Sequence, residues 1–349
     1  MTNEAVGVPD IAALVEARVN DFLDGEEARW AAVDTDLVEP LRHLRALVRS
    51  GGKRLRPLFC YWAYVGAGGT DLEAVVDAGA ACELLHAFAL LHDDVMDGSE
   101  LRRGQPTAHR VYRERHADAG WRGEARRFGE GVAVLIGDLA FVYADRLVAD
   151  VNPDARQVWN DLRTEINIGQ YLDILGTARN GADLDTARLI ATYKSGKYTI
   201  ERPLHLGAAL AGRLDDLGGP LSGYGLPLGE AFQLRDDLLG VFGDSSVTGK
   251  PVGDDLREGK PTVLVALARE RADRAQADAL RRVGRPDLDA DDVATLQAVL
   301  RATGAPEEVE NRIGELESAA LAALRTADLT VDATDALEAL AAQVAWRDR

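Results

Sequence analysis

Apolar residues recur with the spacing of an α-helix along most of this chain of 349 residues, and the alternating β-branched runs that mark strands are missing. The helix-compatible segments are 11–23, 38–48, 72–97, 132–148 and 161–175. Clusters of Gly and Pro separate them, at 51–52, 66–69, 218–220 and 243–253. The pattern predicts an all-α protein.

The length allows one large helical domain or two smaller ones. No repeat, low-complexity tail or long linker divides the sequence, so we predict a single domain over residues 1–349. The part from about 287 onward is Ala-rich, acidic and without a motif, and we expect it to form outer helices with a structural role.

Charge and composition exclude several partners. The formal net charge of −18 argues against nucleic acid or an anionic membrane surface, since both require a basic face. The apolar stretch 132–148 is interrupted by Asp138, Asp145 and Arg146, which indicates a buried helix and no membrane span. The first residues lack the basic and apolar regions of a signal peptide. We therefore expect a soluble, cytoplasmic protein.

Two cysteines, Cys60 and Cys82, both stand in apolar surroundings. They provide neither a disulfide framework nor the spacing of a metal site. We expect both to be small core residues in a reducing compartment.

Two acidic motifs lie far apart in the sequence, HDDVMD at 92–97 and QLRDDLL at 233–239. Asp93 and Asp97 stand four residues apart, so one helical face would carry both carboxylates, with Asp94 about 100° round the axis. Like charges one turn apart destabilise a helix unless a cation lies between them. Mg²⁺ shared between carboxylates and a substrate phosphate meets that need. Among 58 acidic residues an isolated Asp pair is ordinarily solvated surface, so the surroundings must decide.

Basic residues recur beside these motifs although the chain is acidic. Residues 51–57 read GGKRLRP, a Gly-started turn ahead of a helix, where backbone N–H groups and the helix N-terminus also favour an anion. The other basic runs are LRRG at 101–104, YKSGK at 193–197, and GK at 249–250 and 259–260. Any one run alone is more often a solvated face. Their repeated pairing with acidic motifs predicts phosphate binding, because Arg binds phosphate bidentately and Lys as a point charge.

The order of these motifs resembles that of the trans-isoprenyl diphosphate synthases, the polyprenyl synthetase family, and most closely its short-chain geranylgeranyl and farnesyl diphosphate synthases. The matching segments are GGKRLRP at 51–57, ELLH at 83–86, LHDDVMD at 91–97, RRGQPT at 102–107, GQYLD at 169–173, FQLRDD at 232–237 and the two GK pairs at 249–260. They cover about residues 40–265. The resemblance implies a bundle of antiparallel helices around a deep central cavity, the isoprenoid synthase fold, and a homodimer.

The resemblance also implies a reaction. An allylic diphosphate (dimethylallyl, geranyl or farnesyl) ionises, the double bond of isopentenyl diphosphate attacks the carbocation, and loss of a proton leaves a chain five carbons longer. The carbon nucleophile belongs to the substrate, so no Ser, Cys or His nucleophile is needed. The protein must stabilise the departing diphosphate, exclude water and align the substrates. The proton is expected to leave to the pyrophosphate itself.

Site residues are carried over from the resemblance position by position. Three Mg²⁺ ions on the allylic diphosphate would be bound mainly by Asp93, Asp97 and Asp236, supported by Asp94 and Asp237. That diphosphate would be held from the other side by Arg102, Lys194, Lys250 and Lys260. Isopentenyl diphosphate would be bound by Lys53, Arg56, His86 and Arg103. The reacting region would be oriented by Gln170, Asp173 and Gln233. Ser195 stands where the family usually has Thr and keeps the hydroxyl.

Two positions leave alternatives open. Lys197 competes with Lys194 for the lysine role because it also precedes a Tyr-Thr pair, and the spacing to Pro203 favours Lys194. Gly240 stands where many relatives have a third aspartate. One metal ligand is therefore missing there, or Asp244 or water replaces it.

The length of the product depends on the cavity wall upstream of Asp93. Phe88 lies five residues earlier, about 7.5 Å further down the helix, and Ala89 lies one turn below Asp93. Relatives resembling farnesyl synthases place bulky side chains at both positions or insert two residues in the first acidic motif. We therefore expect C20 geranylgeranyl diphosphate as the main product and C15 farnesyl diphosphate as the alternative. Phe88 could instead be ordinary core packing.

Two other classes of protein remain as rivals. A class I terpene cyclase shares the all-α fold and the first acidic motif. It binds no second diphosphate, so Lys53, Arg56 and His86 would be superfluous there. An inactive partner subunit tends to lose one acidic motif, and this chain keeps both.

Overall fold

The computed structural model describes residues 10–179, 183–243, 253–285 and 287–346. The first half contains α1 (Ile11–Ala31), a 3₁₀ turn (Thr35–Leu37), α2 (Val38–Arg49), α3 (Leu55–Gly66), α4 (Leu72–Asp97), α5 (Ala108–Asp118), α6 (Ala125–Leu147) and α7 (Pro153–Ala178). The second half contains α8 (Leu184–Ile190), a π-helix (Ala191–Glu201), α9 (Arg202–Leu210), α10 (Leu214–Phe242), α11 (Asp254–Glu258), α12 (Val263–Arg271), α13 (Arg274–Leu280), α14 (Ala290–Ala302), α15 (Ala305–Leu324) and α16 (Val331–Ala345). The all-α prediction is confirmed. The described strands are β1 (Leu101–Arg102) and β2 (Gln105–Pro106), which form a small hairpin.

Helix α4 carries the first acidic motif and occupies the bounds that the sequence predicts. It begins after Asp71, whose carboxylate accepts hydrogen bonds from the first turn, and ends at Gly98, whose left-handed φ of 66° favours glycine. Leu84 and Leu85 are fully buried. The motif in the last turn is therefore fixed by a helix that packs in the core.

Among the described residues one helix, α4, is long and apolar enough by composition to cross a membrane, with a mean hydropathy of 1.6 in its most apolar window. Within this fold 72% of that window is buried. A core helix has the same character. Both cysteines are likewise buried and free, in agreement with the sequence analysis.

Helix α10 carries the second acidic motif and corrects one expectation. The cluster at 218–220 was expected to separate two helices, but α10 continues through it and through Pro220 and Pro227. A helical stripe of apolar side chains on α10 is fully buried: Leu217, Leu221, Tyr224 and Leu228. Burying these side chains contributes about 1.5–3 kcal/mol each, which offsets the cost of about 3 kcal/mol for each interior proline.

The π-helix crosses α7 and α10 at glycines. A Cβ on Gly169 would lie 2.6 Å from Cα of Lys194, and a Cβ on Gly229 would lie 2.9 Å from the carbonyl carbon of Gly196. Only glycine allows these backbones to approach so closely. The contacts hold Lys194 between α7 and α4.

The C-terminal helices pack against α10. Tyr224 donates a hydrogen bond to the carbonyl of Leu337 (2.7 Å). The guanidinium of Arg235, which is 3% exposed, pairs with Glu310 and donates to the carbonyl of Ala345. These helices therefore support the back of the helix that carries Asp236 and Asp237.

Candidate active site

A cavity of about 590 Å³ lies between α4, α7, the π-helix, α10 and the turn before α3. Its wall includes most of the residues that the sequence analysis singles out: Lys53, Arg56, His86, Phe88, Ala89, Asp93, Arg102, Arg103, Gln170, Asp173, Lys194, Ser195, Gln233, Asp236, Asp237 and Lys260. Asp94 and Asp97 lie behind that wall and contact Arg102 and Lys260 on it. Lys250 and Asp244 lie outside the described residues.

Asp93 lies at the meeting point of several elements. Oδ1 accepts hydrogen bonds from Nζ of Lys194 and Nε2 of Gln170, each at 3.1 Å, while Arg102 lies 3.5 Å from Oδ2. Burial alone would raise the pKa of Asp93, but the charges of Lys194, Lys260 and Arg102 more than offset it and lower that pKa. Asp93 is thus an ionised carboxylate facing the cavity.

Asp97 has a different environment. Burial and the neighbouring Asp93 carboxylate raise the pKa of Asp97 to about 6. Its Oδ2 atom is buried and receives no hydrogen bond, although Nζ of Lys260 lies 3.5 Å away. A buried carboxylate oxygen without a donor is an atom that a bound cation would satisfy.

Both aspartates of the second motif line the cavity, and Asp237 is the more deeply buried of the two. Asp237 accepts hydrogen bonds from the backbone N–H of Val263 (3.1 Å) and from Gln233 (2.8 Å). Burial, together with Asp255 and Asp236, raises the pKa of Asp237 to about 8 against the effect of those hydrogen bonds. Asp237 therefore joins α10 to α12, and Asp236 is left to face the cavity.

The donor set fits a divalent cation that is shared with a ligand. Among the described residues, no three His, Cys, Asp or Glu side chains converge closely enough to hold a metal by themselves. Instead Asp93 of α4 and Asp236 of α10 both line the one cavity. Mg²⁺ commonly takes one or two carboxylates and completes its octahedron with substrate phosphates and water. Asp93 and Asp236 on the cavity wall, and the unsatisfied Oδ2 of Asp97 one turn beyond Asp93, have the chemistry that such binding requires.

A second, basic part of the wall lies away from the carboxylates. Arg56 stacks 4.0 Å from the ring centre of Tyr198 and donates to Thr199 (3.0 Å). Nδ1 of His86 lies 3.2 Å from the Tyr198 hydroxyl. Burial, and after it the charge of Arg56, holds the pKa of His86 well below its usual value.

The sequence analysis missed Tyr198 and Thr199. Their signal is their spacing from Lys194, four and five residues, which a helix of i→i+5 hydrogen bonds brings to one side.

The turn before α3 is held by two arginines with left-handed backbones, Arg54 (φ 48°) and Arg103 (φ 51°). Arg103 donates to Ser50 (3.1 Å) and to the carbonyl of Gly51. Arg54 points inward to Glu83. Residues forced into this region cost about 1–3 kcal/mol each and cluster at ligand sites. The hydrogen bonds from Arg103 hold this turn beside the cavity that it lines.

The two lysines of the π-helix, Lys194 and Lys197, have different environments. Lys194 faces the cavity, where it also contacts Asp173. Lys197 does not line the cavity and pairs with Glu165 (2.8 Å) and Glu201 (3.4 Å).

Aromatic rings close the apolar part of the cavity. Phe88 lines it and packs against Phe141 of α6 and against His92, with ring centres 4.8 and 4.7 Å apart. Arg163 lies over the far ring, 5.3 Å from the centre of Phe141. The small side chain of Ala89 lines the cavity beside Phe88. Phe88 is thus backed by a second aromatic ring that does not itself line the cavity.

An all-α fold with facing carboxylates, a separate basic wall and an apolar floor defines a prenyltransferase of the isoprenoid synthase fold. The chain belongs to the polyprenyl synthetase family, the trans-isoprenyl diphosphate synthases: the model of that family, described as polyprenyl synthetase, matches residues 39–301.

Similar proteins and solved structures are named as isoprenyl diphosphate synthases. The chain is 34% identical to geranylfarnesyl diphosphate synthase from Aeropyrum pernix, over 76% of this chain and 80% of that protein. It is 34% identical to a geranylgeranyl diphosphate synthase from Mycobacterium tuberculosis, over 79% and 75%. A solved geranylgeranyl pyrophosphate synthase from Corynebacterium glutamicum, in complex with isoprenyl diphosphate and magnesium, is 40% identical and superimposes with a TM-score of 0.92 over 98% of this chain and 100% of that one.

Proposed function

We propose that this protein condenses isopentenyl diphosphate with allylic diphosphates and releases mainly C20 geranylgeranyl diphosphate. The observation that carries the proposal is the division of one cavity into two anion-binding walls. Carboxylates with Lys194 and Lys260 form one wall, and Lys53, Arg56, His86 and Arg103 form the other. A terpene cyclase would have no second diphosphate for the basic wall.

Each wall has its own part in the reaction. When bound, Mg²⁺ supplies charge neutralisation for the departing diphosphate. Lys194, Arg102 and Lys260 add fixed positive charge beside the carboxylates, so the leaving group meets preorganised donors. The basic wall orients isopentenyl diphosphate without a metal, and the aromatic floor excludes water from the cation. We propose three Mg²⁺ ions per site, bound mainly by Asp93, Asp97 and Asp236 with Asp94 and Asp237 in support.

The C20 product is supported by the floor of the cavity and by two relatives that make a product of that length. The deciding experiment incubates the protein with Mg²⁺, labelled isopentenyl diphosphate and each allylic primer in turn, and measures the chain length of the products. Products that stop at C15 would make it a farnesyl diphosphate synthase. Use of allylic substrate without isopentenyl diphosphate would revive the cyclase.

We also propose a homodimer. Apolar side chains on α6 and α7 are exposed in the single chain, among them Leu135 and Tyr171 (each 63%) and Val142 (53%). Large exposed patches of apolar side chains are typical of subunit interfaces. Sedimentation velocity would test this, and a monomer at micromolar concentration would refute it. A single domain and a cytoplasmic location complete the proposal.

A further inference from the structure

The carboxylate of Asp255 occupies the space that a side chain at position 240 would need. A Cβ built on Gly240 would lie 2.6 Å from Cγ of Asp255 and 3.1 Å from its Oδ1, and still closer to Oδ2. Real Cβ atoms do not approach other heavy atoms so closely. Gly240 follows Asp236 by one helical turn, and both residues line the cavity.

Asp255 reaches this place from a separate, well-anchored segment. It belongs to α11, which lies between two glycines with left-handed backbones, Gly253 and Gly259 (φ 72° each). The next residue, Leu256, is fully buried and its carbonyl accepts a hydrogen bond from Gly284 (2.8 Å). The Asp255 side chain, 15% exposed, is therefore held against α10 by the fold.

We propose that Asp255 supplies the third carboxylate of the second metal-binding motif, in place of the aspartate that position 240 does not carry. The inference rests on the proposed function, because it requires a divalent cation at Asp236. A side chain delivered from α11 brings a carboxylate to the same side of α10 that an aspartate one turn after Asp236 would reach. Asp255 thus provides the carboxylate that position 240 lacks.

The ion pair of Asp255 with Lys260 must be separated from this role. Nζ of Lys260 lies 3.8 Å from Oδ1 of Asp255, and closer, at 2.9 Å, to Glu258. If Asp255 served only to place Lys260, its loss would weaken the binding of pyrophosphate whether or not metal is present. If Asp255 binds the metal, its replacement should weaken metal binding and leave metal-free pyrophosphate binding unchanged.

The experiment measures Mn²⁺ binding by electron paramagnetic resonance, with and without inorganic pyrophosphate, and metal-free pyrophosphate binding by isothermal titration calorimetry, for the full chain, four variants and one control variant. Asp255→Ala and the isosteric Asp255→Asn should bind Mn²⁺ about 10- to 100-fold more weakly in the presence of pyrophosphate, the range found when residues that support a metal site are removed. Gly240→Asp should lower the melting temperature, since two carboxylates would then share one space. Gly240→Asp/Asp255→Ala should recover most of the Mn²⁺ affinity.

Asp291→Ala is the matched control, because it removes one exposed carboxylate outside the cavity and should leave Mn²⁺ binding unchanged. Wild-type Mn²⁺ affinity in both Asp255 variants would overturn the proposal. So would an equal loss of metal-free pyrophosphate binding, or a folded double variant without recovery. Because the comparison is made on binding, a chain that elongates no primer would refute the proposed function while the Mn²⁺ affinities still decide the role of Asp255.

Discussion

The ammonium of Lys194 lies 3.1 Å from Oδ1 of Asp93 and joins the π-helix to the end of α4 across the cavity. The same ammonium contacts Asp173 on α7. Asp93 is therefore kept ionised before any metal binds, because the adjacent cation stabilises its charged form. A metal that binds Asp93 meets a carboxylate already positioned and deprotonated, with a lysine beside it for the diphosphate.

Replacing Asp93, Asp97 or Asp236 with Ala should lower kcat by about 10² to 10³, because the departing diphosphate loses part of its charge stabilisation. The fold should persist, since the apolar core stays intact and the cations beside Asp93 keep other partners, Asp173 for Lys194 and Asp94 for Arg102. Product formation and circular dichroism check both points. The exposed Asp118→Ala serves as control. Near-normal turnover of Asp93→Ala, or full activity in EDTA, would contradict the metal assignment.

Lys53→Ala and Arg56→Ala should raise the KM for isopentenyl diphosphate much more than the KM for the allylic primer. Both residues lie on the basic wall, apart from the carboxylates. Steady-state kinetics with one substrate varied at a time provides the measurement. Lys197→Ala is a useful comparison because this lysine pairs with Glu165 outside the cavity. Equal effects on both substrates would mean that the two diphosphate sites are wrongly divided.

Product length should respond to the aromatic floor. Ala89→Phe should shorten products toward C15 by filling the open part of the wall. Phe88→Ala should lengthen them beyond C20, and Phe88→Ala/Phe141→Ala should lengthen them more, since the second ring lies directly behind the first. Chromatography of dephosphorylated products measures the distribution. An unchanged distribution in all three variants would place the floor elsewhere and remove the basis of the C20 proposal.

Glu83→Ala should lower the free energy of unfolding by about 3–5 kcal/mol, because it leaves the guanidinium of Arg54 buried without its main partner. The two side chains are only 4% and 9% exposed. Denaturant titration measures the loss. Glu114→Ala removes an exposed partner of Arg110 and should cost less than about 1 kcal/mol. Equal losses in the two variants would show that Arg54 finds another partner.

Acid should destabilise the protein partly through His86. Its folded-state pKa lies well below the value of about 6.5 in the unfolded chain, so the unfolded state binds the extra proton as pH falls below about 6.5. Stability attributable to His86 is therefore present above pH 6.5 and declines below it, by up to about 1.4 kcal/mol per pH unit. Denaturation of His86→Gln between pH 5 and 7 should show a shallower dependence than the wild type. Parallel curves would mean that His86 is protonated in the folded protein.

The sequence predicts α4 and the position of the first acidic motif correctly, because the apolar periodicity and the motif both lie within this one helix. It wrongly expects helices to be separated at 218–220, because the buried stripe from Leu217 to Leu228 outweighs the local preference of Pro220. It cannot show the exchange between Gly240 and Asp255, which depends on how two distant segments approach. The sequence analysis missed Tyr198 because this residue lies in a π-helix, in which the side chains that share a face are not those expected from α-helical spacing.

The eleven residues of the π-helix make its length as important as its side chains. In an α-helix each residue turns the chain by about 100°, so deleting one residue between Lys194 and Tyr198 would shorten the helix and rotate everything after the deletion. Tyr198 would then leave Arg56, while Lys194 would stay beside Gly169. The number of residues between these two positions therefore sets how the carboxylate wall and the basic wall of the cavity face each other, and deletion of one residue here should be more damaging than most substitutions.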